Sequence, residues 1–368
     1  MKAYTHKTLS FTEGCFDNNS SFVRLENEYI SVTILPDKGA DIYELIYKPK
    51  NIDVLWKSPW GIKSPANGIQ IARNSEDLWM EYYAGGWQDI FPNGGDSCIY
   101  KGAEMSFHGE ASIIAWEYKK ILHTEEKLQV VFKTKLFRSP FSIEKLVTIY
   151  QNKPQLVINE KITNIGGVPI DYMWGQHPVF GAPFLTEDCI IDIGGKALVS
   201  DDSCSSSDCP LLPNKKYLWP KVSEENIVTD LSRIPEKSVR RYMMAYLKDF
   251  QEGWYAITNT QLELGVALIW PVEIFPYAWF WQEMNAEKNY PWYGNTYLTA
   301  IEPFTSIPGQ GLKNVIETTG THKTLKPGLT INAEIRAVFY ESAKGIKSVA
   351  KNGEIILKNP SFQSFVLP

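Results

Sequence analysis

Three stretches of the 368-residue chain combine reactive side chains with Gly, Pro and aromatic neighbours. The first runs from Gly85 through Trp87, Gln88 and Asp89 to Gly95, and Phe107-His108-Gly109-Glu110-Ala111 follows it. The second is Trp174-Gly175-Gln176-His177-Pro178-Val179-Phe180-Gly181, and the third is Thr299-Ala300-Ile301-Glu302-Pro303-Phe304. Of the 5 His in the chain, His108 and His177 fall in these stretches, in surroundings suited to a ring held at the mouth of a cleft. His6, His123 and His322 lie in polar stretches and read as solvated. Glu302 follows the apolar pair Ala300-Ile301 and precedes a Pro. That pattern reads equally as a charge at a strand end or as a carboxylate of raised proton affinity beside a cleft. A carboxylate and an imidazole are the parts of general acid–base catalysis, where each well-placed group contributes ~10²–10⁴-fold.

Positioning such groups falls to β-strands, because the dominant period along the chain is two. Ile30, Val32 and Ile34 alternate with Ser31 and Thr33 before the turn Pro36-Asp37-Lys38-Gly39. Leu128, Val130 and Phe132 alternate with Gln129 and Lys133. Residues 143–150, the turn Gln151-Asn-Lys-Pro154 and residues 156–163 read as a hairpin. Further strands fit residues 256–258, 265–270, 297–301, 331–340 and 354–357. Helical turns fit only residues 76–82 and 224–231, and the polar run 201–214 reads as a loop. Short strands without regular amphipathic helices argue for a large antiparallel all-β sandwich with few short helices. No repeat and no long linker divides the chain, so residues 1–368 are expected to form one domain.

Composition narrows the function. Lys+Arg 37 against Asp+Glu 42 gives a net charge of −5, which removes the electrostatic footprint of a nucleic-acid binder. Hydrophobic content of 44% with 21% charged residues is that of a globular protein rather than a disordered one. Aromatic residues make up 13%, which suits sugar-stacking platforms and large β cores alike. The start, Met1-Lys2-Ala3-Tyr4-Thr5-His6-Lys7, lacks the apolar core of a signal peptide. The apolar region 264–281 is interrupted by Pro271, Glu273 and Pro276 and reads as two buried strands, not a membrane span. An odd count of 5 Cys in so large a chain points to reduced thiols and a cytoplasmic protein. Cys204 and Cys209, the one close pair, lack the further ligands of a metal site and read as loop thiols.

These motifs, taken together and in order, resemble the aldose 1-epimerases, the galactose mutarotase-like family. Ile301-Glu302-Pro303-Phe304, then Pro308, Asn314, Leu325-Lys326-Pro327-Gly328 and Tyr340, is similar to that family's catalytic-Glu segment. Gln176-His177-Pro178-Val179-Phe180 resembles its Asn-His-Pro-Tyr-Phe motif, and His108-Gly109 its His-Gly step. Arg73, in Ile71-Ala72-Arg73-Asn74, resembles its Asn-Arg sugar contact with the order changed. Glu110, Gln176 and Val179 stand where the family usually has Gly, Asn and Tyr, which marks a divergent member.

The resemblance implies the mutarotase supersandwich fold and a small-molecule sugar substrate, with neither cofactor nor metal. Exchanging α and β anomers requires a proton to leave the C1 hydroxyl while the ring oxygen accepts one, so that the ring opens, rotates and recloses. By resemblance Glu302 is the base and His177 the acid, while His108 hydrogen-bonds the same region and holds the developing charge. Trp87, Gln88, Trp281 and Gln282 are candidate sugar contacts, and for the two Trp core packing is an equal reading.

Two other classes compete. A non-catalytic sugar-binding protein would keep the cleft, although binding alone needs no matched acid and base. A glycoside-cleaving enzyme would pair Glu302 with Glu283 or Glu110, at ~5–5.5 or ~6.5–9.5 Å according to stereochemistry. The sugar itself stays open, a phosphorylated or sulfonated hexose included, with Arg73 and Arg138 the candidate anion contacts. Nothing in the pattern marks an oligomeric state.

Overall fold

The computed structural model describes residues 9–63 and 71–358, so His6 and the Met1–Lys7 stretch lie outside the described residues. Two large antiparallel sheets, of twelve and eight strands, make up most of it. The larger runs in the order Ser10–Cys15, Ser21–Glu26, Ile30–Leu35, Asp41–Tyr47, Trp87–Ile90 and Gly175–Gly181. It continues with Tyr297–Phe304, Tyr277–Met284, Arg241–Lys248, Ala197–Ser200 and Lys216–Leu218, and Ile52–Asp53 pairs with the fourth strand. The smaller runs Cys189–Ile193, Gly253–Asn259, Leu264–Trp270, Thr330–Tyr340, Gln155–Asn164, Phe141–Tyr150, Lys127–Lys135 and Glu117–His123. The architecture is the all-β sandwich that the period of two implies.

The expected hairpin is present: Phe141–Tyr150 pairs with Gln155–Asn164 from Phe141↔Asn164 onward. The apolar region 264–281 divides into Leu264–Trp270 in the smaller sheet and Tyr277–Met284 in the larger, with the turn between them crossing from one layer to the other. Among the described residues no helix is long and apolar enough to cross a membrane. The helix Ser75–Glu81 starts at Asn74, whose side chain accepts from the Asp77 N–H at 2.8 Å, with Glu76 and Asp77 favouring its positive end. The helix expected over 224–231 is instead a hairpin, Lys221–Glu224 with Ile227–Asp230. Glu225 and Asn226 take φ of 48° and 69°, the two consecutive positive values of a tight hairpin turn, and β-branched Ile227, Val228 and Thr229 follow them. A second helix, Gly311–Thr318, carries no polar cap and has no strong sequence signal.

Two apolar clusters divide the aromatic residues. The main core lies between the sheets and includes Phe91, Phe141 and Tyr172, the rings of Phe91 and Phe141 4.8 Å apart. The second covers the outer face of the larger sheet with Trp56, Trp79, Tyr83, Trp279, Trp292 and Phe304. A polar chain is buried in the main core. Trp87 Nε1 donates to Gln176 Oε1 at 2.8 Å, and Gln176 Nε2 donates to Asp89 Oδ1 and Glu160 Oε2, both at 2.9 Å. Lys145 Nζ contacts Asp89 and lies 3.9 Å from Glu160 Oε1. Burial, and next the neighbouring Asp89, push the Glu160 carboxyl well above the usual range, and the chain bridges the two sheets. Gln176 is thereby anchored on the core side, which obliges His177, the next residue along the strand, to face outward.

Candidate active site

The outward face of the larger sheet carries a cavity of about 860 Å³ lined by side chains of its central strands. Gly175 pairs with Phe304 and Val179 with Ala300, a register that sets His177 opposite Glu302. Trp279 pairs with Glu302 on the far side, so His177, Glu302 and Trp279 form one row across three strands. Directly opposed residues have Cβ atoms ~4.5–5.5 Å apart, close enough for short side chains to meet. His177 Nδ1 and Glu302 Oε2 are 2.6 Å apart. The ring N–H does not line up on that oxygen, and neither atom has an aligned hydrogen-bond partner, so the contact is one of proximity. Both groups are deeply placed, at 4% and 2% exposure. On the other side of the ring, His177 Nε2 lies 3.3 Å from the Tyr83 hydroxyl.

His108 approaches from the loop that follows Ala103–Met105. Its own φ of 55° and the 74° of Gly109 turn the chain so that the ring enters the cavity, 5.6 Å centroid to centroid from His177. Its Nδ1 accepts from the Gly95 N–H at 3.0 Å. A ring nitrogen that accepts carries no proton, so the neutral ring holds its hydrogen on Nε2 as a donor. Burial, and next the His177 ring, hold His108 well below the usual imidazole range, in agreement with that neutral form. Gly95 has to be glycine: at φ 75° a Cβ would lie 1.6 Å from the Gly309 carbonyl oxygen. Burial, followed by the charge of Glu302, carries the Tyr83 phenol well above its usual range, so Tyr83 remains a hydroxyl.

The walls are aromatic. Trp281 stacks on His177 with centroids 6.0 Å apart and planes 18° apart, and Trp79 meets both His108 and His177 edge-on. On Arg241–Lys248 and Tyr277–Met284, alternate residues face the cavity: Tyr242, Met244 and Tyr246 on one, Trp279, Trp281 and Glu283 on the other. Neighbouring residues of the 201–214 loop, Asp201 and Asp202 among them, close the outer wall.

A family model described as "Domain of unknown function (DUF4432)" matches residues 18–337. The chain belongs to that family. A comparison with curated proteins gives no match. Among solved structures, a "putative aldose 1-epimerase" of Klebsiella pneumoniae subsp. pneumoniae is similar at 15% identity and a TM-score of 0.70, over 91% of this chain and 84% of that one. A galactose mutarotase-like protein of Clostridium acetobutylicum is similar at 18% identity and a TM-score of 0.63, over 91% and 99%. At these identities the likeness is one of fold.

Within this DUF4432 chain, the cavity gathers Glu302, His177, His108, Trp281 and Glu283, and Arg73, Trp87, Gln88, Gln282, Glu110 and Arg138 lie elsewhere. Arg73 is exposed ahead of the Ser75–Glu81 helix and is not part of the lining. Trp87 belongs to the main core and is tied to Gln176. Gln88 is fully buried, donating to the Gly85 carbonyl at 2.7 Å and to Asp41 at 3.3 Å. Gln282 alternates away from Trp281 to the core side, where Arg241 Nη1 donates to its Oε1 at 3.4 Å. Glu110 is consumed locally, accepting from Phe137 N, Arg138 N and the Ser139 hydroxyl at 2.7–3.2 Å. Arg138 itself is exposed, and its guanidinium donates to the Glu104 carbonyl. Tyr83 and Trp79 carried no sequence signal beyond the helix that precedes or holds them. The Cys204 thiol donates to the Met244 carbonyl at 3.2 Å, and no cluster of metal-binding side chains occurs among the described residues.

Proposed function

We propose that the chain is an aldose 1-epimerase, exchanging the α and β anomers of an aldohexose or a close derivative within a single domain. Glu302 takes the C1 hydroxyl proton on Oε1, the oxygen not engaged by His177. His177 delivers a proton to the ring oxygen from Nε2, the nitrogen turned away from Glu302. Contact of Glu302 Oε2 with Nδ1 holds the imidazole in place and brings base and acid to the same bond. Neutral His108, donating from Nε2, holds the oxygen on which charge develops. The Tyr83 hydroxyl supports His177 from the Nε2 side. Trp281 supplies a flat apolar face beside the acid for the sugar ring.

The observation that carries this reading is the placement of His177 and Glu302 as cross-strand partners in one aromatic-walled cavity. A glycosidase pairing finds less support. Glu110 is occupied by the backbone at 137–138. Glu283 stands four residues along its strand from Trp279, the partner of Glu302, an offset of ~13 Å at ~3.3 Å per residue. The test is polarimetry or NMR exchange on freshly dissolved α-aldohexoses with purified protein. Acceleration above buffer supports the reading, and an unchanged rate across glucose, galactose and related aldoses overturns it.

A further inference from the structure

Two rows along the sheet from the His177–Glu302–Trp279 row, the register pairs Tyr242 with Glu283. Both side chains line the cavity, and Trp281 faces it from the row between. Glu283 is 1% exposed. Its Oε1 accepts from the Ala286 N–H at 2.8 Å and the Glu287 N–H at 3.1 Å, which fixes the carboxyl group. Its Oε2 is buried without a hydrogen-bond partner. Buried polar atoms in folded proteins are almost always satisfied, so an orphaned carboxylate oxygen on a cavity wall is one that a ligand completes. Around it the cavity is uniformly acidic. Glu76, Asp96, Asp201, Asp202, Asp208 and Glu287 line it as well, and no Lys or Arg does among the described residues. Phosphate, sulfonate and carboxylate groups are recognised by Arg, Lys or clustered backbone N–H groups, and here they would meet like charge.

We propose that this end of the cavity is a distal subsite in which Glu283 accepts hydrogen bonds from a hydroxyl or amino substituent of the sugar, so that the chain takes neutral or amino sugars and rejects phosphorylated, sulfonated and uronic ones. The proposal rests on the sugar-anomerising reading of the same cavity and deepens it. The offset between the two rows places the recognised substituent far from the anomeric carbon. Glu283 is therefore a residue for specificity, and Glu302 with His177 perform the chemistry.

Calorimetric titration of the full chain with a free hexose, the matching 6-amino-6-deoxyhexose, the hexose 6-phosphate and the hexuronic acid tests this, alongside anomer-exchange kinetics. The hexose and the 6-amino sugar are expected to bind, with the 6-phosphate and the uronic acid at least about tenfold weaker. Glu283→Ala is expected to raise Kd and KM for the 6-amino sugar about tenfold while kcat stays near wild type. Glu283→Gln keeps an oxygen for the Ala286 and Glu287 N–H groups, preserves the fold, and should show the same KM-weighted loss. Equal or tighter binding of the 6-phosphate, unchanged affinities in both variants, or no binding by any of the four overturns the proposal. Selective binding without anomer exchange would strike only the catalytic reading.

Discussion

The ring of Phe304 fills the space that a Cβ on Gly175 would need: such an atom would lie 2.1 Å from Phe304 Cε2. The two are register partners, one two residues before His177 and the other two residues after Glu302. On its other side Phe304 stacks on Trp279 at 3.7 Å with planes 4° apart. A bare glycine backbone thus lets an aromatic sandwich lock the registers of three strands beside His177 and Glu302.

Gly175→Ala is therefore expected to destabilise the protein by about 1–3 kcal/mol, the usual result of overpacking, and to slow anomer exchange. Urea denaturation checks it, and a midpoint equal to wild type would contradict the role given to this contact.

Glu302→Gln keeps the shape of the side chain and removes the base of the proposed reaction. The expected outcome is a loss of ~10²–10⁴-fold in anomer exchange, with sugar affinity within a few-fold of wild type. NMR exchange rates and calorimetry on one preparation measure both, and near wild-type exchange would remove Glu302 from the mechanism.

Native His108 takes up a proton only well below the usual imidazole range, because burial and His177 oppose it. The unfolded chain protonates the same ring near its ordinary value of ~6.5. Below that pH the unfolded state binds more protons, so stability falls as the pH drops from about 7 towards 5. His108→Gln removes this contribution. Its stability relative to wild type should improve over that interval in denaturant titrations, and a pH-independent difference would show that His108 does not carry it.

Lys145→Met leaves Asp89 and Glu160 between the sheets without their cation. Breaking a buried pair from one side costs about 3–5 kcal/mol. Because Gln176 is bonded to both acids, the loss should also reach His177 and lower exchange in the folded fraction. A stability change below about 1 kcal/mol would mean that the pair is dispensable.

Alternation of apolar and polar residues was enough to reveal several of the strands, the hairpin of residues 143–163 and the sandwich class, since a half-buried strand writes its period directly into the chain. His108, His177 and Glu302, which share the cavity, were also visible, because they stand between Gly, Pro and aromatic neighbours. The parity of the strands was not legible. Tyr297–Phe304 and Tyr277–Met284 are covered on both faces, by the sandwich core on one side and by the aromatic layer around the cavity on the other. Hydropathy then cannot tell Trp281, which enters the cavity, from Gln282, which turns into the core, nor His177 from Gln176. The hairpin at 221–230 was hidden for a related reason: its turn depends on left-handed backbone at Glu225, a residue type that seldom adopts it. Only the tertiary structure decided which side chains meet. The meeting of His177 with Glu302 comes from strand register, a long-range property fixed when Phe304 settles against Gly175, and no local stretch of chain encodes it alone.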